Sequence, residues 1–175
     1  MTGNATSGGV NGRPELRFAR VFEAPRDLVF RCMTEPEHLA HFWGPKGVTA
    51  PLEEIKVDLR PGGVFETVMV NDADGSRYAT RAVYLEVAAP ERLVWREVHS
   101  GMTVVVTFVE LGHDRTEVLV HQANVPEALL DGSAQAGFLT SLDRFAAYLV
   151  AVHRPGRVNQ VFAQEENTVS GGEEC

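Results

Sequence analysis

"RVFEAPRDLVFRCMTEPEHLAHFWGP", residues 20–45, decides the fold. Its first four residues end a strand. Pro25 then suits a first helical turn, where its missing N–H costs nothing, and Leu28, Val29, Cys32 and Met33 form an apolar stripe at helical spacing. Pro36 opens a second short helix, which Gly44-Pro45 stops. Two short helices therefore follow directly on one strand. The second ends in Phe42-Trp43, two large aromatics where the backbone must bend. They either plug the end of a core or guard the mouth of a cavity.

Outward from this stretch the chain is mostly strand. Glu15–Glu23 alternates apolar residues with charges. Downstream, Ile55, Val57 and Leu59 alternate with Lys56, Asp58 and Arg60, and Pro61-Gly62-Gly63 turns the chain. The segment 64–70 is followed by "NDADG" (71–75), a strong hairpin signal, and then by a strand over 77–88. Turns at Pro90, Ser100-Gly101 and 112–115 separate three more strands. A meandering antiparallel sheet results. Ser133–His153 is the one long helix, with Phe138, Leu142, Phe145, Leu149 and Val152 at helical spacing. A sheet of this length needs one face covered, and this helix is the element long enough to cover it.

The totals bound the rest. The chain has 175 residues, 44% of them hydrophobic, and a formal charge of −8. That suits one domain with a sizeable core. Residues 1–14 and 154–175 are expected to be flexible, because neither buries enough apolar surface to offset the entropy of ordering it. The folded domain is read as 15–153. Without a basic block, nucleic acid and anionic membrane are not expected partners. Two cysteines, Cys32 and Cys175, make no disulfide framework. With no signal-peptide pattern and no run long enough to span a bilayer, a cytoplasmic protein is expected, as a monomer or weak homodimer.

The order of elements also resembles a known family. The residues that carry the likeness are "RVFEAPRDLVFRCMTEPEHLAHFWGP", "DLRPGGVFETVM", "YLEVAAPERLVW", "VTFVEL" with "RTEVLVHQANVP", and "LDRFAAYL". Together they cover about 16–150 and resemble the START-like (SRPBCC) helix-grip superfamily. The branch is the one similar to the C-terminal domain of the activator of Hsp90 ATPase, with a further likeness to its antibiotic self-resistance subgroup. The resemblance implies an α+β fold: a curved seven-stranded antiparallel sheet around a long C-terminal helix, with two short helices closing one end and a cavity between sheet and helix. One departure stands out. The family usually carries Trp after the Gly near the start of the last helix, and this chain has Gly137-Phe138.

Strand alternation assigns an inward face. It gathers Phe65, Thr67 and Met69; Leu93, Trp95 and Glu97; Val104, Val106 and Phe108; and Val118, Val120 and Gln122. The expected ligand-binding set is Trp43, Phe65, Met69, Trp95, Val106, Phe108, Gln122, Phe138, Leu142 and Phe145. An apolar, aromatic-rich lining with few polar groups is how small-molecule sites are built. Lys46, just past the second short helix, is placed to meet an anionic or phenolic group. His38 and His41 share a helix face, but no third ligand stands near, so two exposed histidines are expected and no metal or cofactor.

Three functions fit this reading. The leading one is a protein that encloses a hydrophobic, polycyclic aromatic or polyketide-type molecule, to carry or sequester it, with no catalytic residue. In the harsher form that the resemblance allows, the ligand abstracts hydrogen from a glycine, with Gly101, Gly112 and Gly137 available. The second is a polyketide cyclase or aromatase, for which Glu97, Gln122, Tyr78 and Tyr84 offer polar groups but no acid–base pair. The third is a module that binds a chaperone through an exposed patch.

Overall fold

Period-two alternation in the sequence becomes a single antiparallel sheet. The computed structural model describes residues 6–8, 13–112 and 114–153. Its strands are β1 (Thr6–Gly8), β2 (Glu15–Phe22), β3 (Val48–Thr49), β4 (Lys56–Val57), β5 (Val64–Asn71), β6 (Arg77–Ala88), β7 (Arg92–Glu97), β8 (Thr103–Gly112) and β9 (Arg115–Ala123). The helices are α1 (Arg26–Cys32), α2 (Pro36–Phe42) and α3 (Gly132–Val152). The sheet runs β1-β2-β9-β8-β7-β6-β5-β3, and β4 also pairs with β5. The first long strand thus meets the last, Phe18 opposite Val120, and α1 and α2 fill the excursion between β2 and β3.

This is the α+β helix-grip arrangement, and the seven expected strands are all present. Two short edge strands, β1 and β3, add to them. β1 lies in the segment expected to be flexible: Thr6 stands opposite Arg17. The remaining residues of that segment up to 12, and the tail from 154, lie outside the described residues. No helix of the described residues is long and apolar enough to cross a membrane.

One strand is shorter than its alternation predicts. Leu52–Glu54 forms a 3-10 turn, β4 spans only Lys56–Val57, and Leu59 is exposed. The chain leaves the sheet because it folds tightly on itself there. Asp58 N–H donates to the Val64 carbonyl at 2.8 Å, and Gly63 N–H to that of Arg60 at 2.8 Å. A Cβ on Gly63 would lie 2.0 Å from the Asp58 carbonyl oxygen, so only glycine fits.

α3 lies across the concave face. Asp131 caps it, accepting from the Ser133 N–H at 3.2 Å. Leu142, Phe145 and Leu149 are buried, whereas Val152, expected in the same stripe, is 39% exposed at the helix end. Phe145 anchors the helix. Its ring stacks on Phe42 at 4.2 Å and meets Phe22 at 4.8 Å. Such pairs add about 1 kcal/mol each beyond the area they bury.

Candidate functional site

Between the concave face and α3 lies a cavity of about 550 Å³. It exists because the two walls do not interdigitate. Along α3, Ala134, Gly137 and Ser141 recur at helical spacing and line the space. Their small side chains fall short of the sheet, while Phe138, Leu142 and Phe145 close it on either side. From the sheet come Leu16 and Phe18 of β2, Phe65 and Met69 of β5, Trp95 of β7, and Val118, Val120 and Gln122 of β9. The register explains their convergence: Gln122 stands opposite Leu16 on one side and Val104 on the other, and Val104 stands opposite Trp95.

The two aromatics at the end of α2 take different places. Phe42 is buried against Phe145 and Trp43 is half-buried against Phe65, its ring edge-on at 5.1 Å; both reach the cavity wall. Gly44 and Pro45 continue that wall, and α3 holds the loop in place. Lys46 N–H donates to Thr140 Oγ1 at 2.9 Å. Leu129 and Ser133 are the two exposed residues of the cavity lining among the described residues.

Of the ten residues expected to bind ligand, eight line this cavity: Trp43, Phe65, Met69, Trp95, Gln122, Phe138, Leu142 and Phe145. Val106 and Phe108 do not. Both point inward and are buried, but they belong to the packed core; Phe108 meets Phe30 of α1 at 5.3 Å. Lys46 is exposed and outside the lining, so it is not placed to meet an enclosed ligand. Among the three glycines singled out, Gly137 lines the cavity, and Gly101 and Gly112 do not. Thr80, Met102 and Gln135 line it without having been expected. Alternation along β6 was the available signal for Thr80. Nothing in the sequence marks Met102, which follows a turn.

The polar groups are few. Among the described residues Glu97 is the one ionisable residue of the wall, and its Oε2 accepts from Ser100 Oγ at 2.8 Å. Tyr84 is buried beneath Phe65 and Trp95, outside the lining, and burial raises its phenol above the ordinary range. Tyr78 is exposed. The histidines lie elsewhere. His38 Nδ1 is 2.7 Å from Tyr148 Oη and its Nε2 is 3.3 Å from Glu35, while His41 stacks on the Tyr148 ring at 4.9 Å. His121 pairs with Glu15 at 3.0 Å, His153 lies 3.6 Å from Asp114, and His99 is exposed. His113 lies outside the described residues.

Comparison with known proteins agrees with this architecture. Residues 23–150 match the family described as Activator of Hsp90 ATPase homolog 1-like protein. Among curated proteins no relative matches. A crystal structure of a protein from Chromobacterium violaceum is similar at 26% identity, with TM-score 0.70, covering 76% of this chain and 95% of that one. One from Nitrosomonas europaea is also 26% identical, with TM-score 0.69, covering 82% and 98%. CalU16 from Micromonospora echinospora shares the fold at 20% identity and TM-score 0.59, covering 85% of each chain.

Proposed function

We propose that this chain, which belongs to the Activator of Hsp90 ATPase homolog 1-like family, encloses a hydrophobic, polycyclic aromatic or polyketide-type molecule and carries or sequesters it. The family's fold commonly holds hydrophobic ligands. The observation that carries the reading is a cavity of about 550 Å³ whose wall is mostly aliphatic and aromatic, with both tryptophans in it. Each 100 Å² of apolar ligand surface buried there would contribute about 2.5 kcal/mol. Stacking on Trp43 or Trp95 would add about 1 kcal/mol.

Binding is favoured over turnover because acid–base chemistry needs a second group poised beside the first. Among the described residues Glu97 has no ionisable partner in the wall, and its carboxylate accepts a hydrogen bond from the Ser100 hydroxyl.

The test is a titration of intrinsic fluorescence with planar polycyclic aromatics such as anthraquinones. Saturable quenching, much reduced in a folded Trp43→Ala variant, is the expected result. Traces that stay flat across the panel would overturn the reading and turn attention to a protein partner.

A further inference from the structure

Among the described residues, every hydroxyl, carboxylate and amide side chain of the cavity wall but one has a hydrogen-bond partner; the indole N–H groups of Trp43 and Trp95, which also line it, make no such bond. Thr80 Oγ1 lies 2.8 Å from Thr67 Oγ1, Glu97 accepts from Ser100, and Ser133 Oγ donates to Asp131 at 2.5 Å. Gln135 Nε2 donates to the Leu130 carbonyl at 3.0 Å, and Ser141 Oγ to that of Gly137 at 3.5 Å. Gln122 is different. It is only 9% exposed, it lines the cavity, and its amide makes no side-chain hydrogen bond among the described residues. Its cross-strand neighbours on the same face, Leu16 and Val104, are apolar and buried. Arg26 Nε is the one buried side-chain nitrogen or oxygen without a partner among the described residues, so the Gln122 amide atoms stay accessible within the cavity, and a ligand that covers them must replace the hydrogen bonds they make to water.

We propose that Gln122 selects and orients the ligand, and that the ligand presents to it a neutral polar edge carrying a hydrogen-bond acceptor beside a donor. A carboxamide, a lactam or a hydroxy-ketone has that edge. This rests on the cavity-binding reading above and adds the class of molecule. A glutamine amide offers one carbonyl acceptor and two N–H donors, so it pairs best with a group that has both. The edge is neutral because no Arg, Lys or His lines the cavity among the described residues, and the one ionisable group there is the acid Glu97. An anionic ligand would enter without a counter-charge and meet a like charge.

The experiment compares anthracene, anthracenecarboxamide and anthracenecarboxylate by quenching of tryptophan emission, with the full chain and with Gln122→Leu and Glu97→Gln. One hydrogen-bonded edge is worth up to about tenfold in affinity. The wild type is expected to bind the carboxamide about tenfold more tightly than either other probe. Gln122→Leu should erase the margin over anthracene by weakening carboxamide binding, and Glu97→Gln should narrow the margin over the carboxylate. The thermal midpoint of ligand-free Gln122→Leu should be unchanged or higher, whereas a purely structural amide would make it fall. Should Gln122→Leu not fold, Gln122→Met takes its place with the same expected ranking. A preference for the carboxamide that survives in Gln122→Leu, or a wild type that binds the carboxylate best, overturns the assignment while leaving a ligand-binding cavity. Failure of all three probes to bind the wild type overturns the cavity reading and this one with it.

Discussion

Arg144 donates through Nη1 to the carbonyl oxygen of Gly44 at 2.8 Å. The same nitrogen lies 3.0 Å from the Pro45 carbonyl and 3.1 Å from that of Val48. Two protons thus serve three acceptors, and one guanidinium of α3 holds the whole turn beyond α2. Charge-assisted hydrogen bonds of this kind contribute about 1.5–3 kcal/mol when made, less where water can replace them. Arg144→Met should lower stability to urea by about 2 kcal/mol and speed amide hydrogen exchange over residues 44–48. Unchanged exchange there would show that the turn stands without Arg144.

The neighbouring wall depends on having no side chain at Gly44. This residue has φ +94°, and a Cβ there would lie 2.8 Å from Met69 Sδ. Gly44→Ala should therefore cost about 1–3 kcal/mol, from the strained backbone and from Met69 being pushed aside. Adding Met69→Ala should relieve the contact but not the backbone strain. Denaturant midpoints of both single variants and of the double would separate the two parts, and strictly additive costs would show that the contact contributes nothing.

Cys32 offers a test at high pH. It is fully buried in α1, and burial pushes its thiol up from 9.0 to about 11. A folded chain with a raised thiol pKa keeps its proton where the unfolded chain has lost it. Stability from this source is complete below pH 9 and is lost as pH rises toward about 11, by no more than about 1.4 kcal/mol per pH unit. In a Cys175→Ser background the native thiol should resist alkylation at pH 8, and Cys32→Ala should flatten part of the alkaline loss of stability. Burial of the Tyr84 phenol acts in the same direction, so some loss should remain. Rapid native alkylation would contradict this account.

The strands, their turns and the long helix were legible because alternation, Gly-Pro punctuation and helical spacing are local properties. The inward face was legible for the same reason. Depth along that face was not. Val106 and Phe108 point the same way as Val104, but Phe108 lies under α1 and is filled over by Phe30. Which end of a strand a remote helix covers is a tertiary fact that period two does not carry. Lys46 failed similarly: its backbone joins α3 through Thr140 while its side chain stays in water. Gln122 could be named from its parity alone. That its amide has no hydrogen-bond partner among the described residues depends on the apolar Leu16 and Val104 standing across the sheet from it, which parity does not carry.

The register of β6 shifts between Tyr84 and Glu86. Ahead of the shift Ala82 and Tyr84 are buried; beyond it Val87 packs on the core, and Leu85 and Glu86 both face solvent. The strand therefore carries two phases of one alternation. A substitution scan along it would find intolerant positions at 82, 84 and 87 rather than at every second residue, and that single skipped beat would mark where the sheet bends using growth data alone.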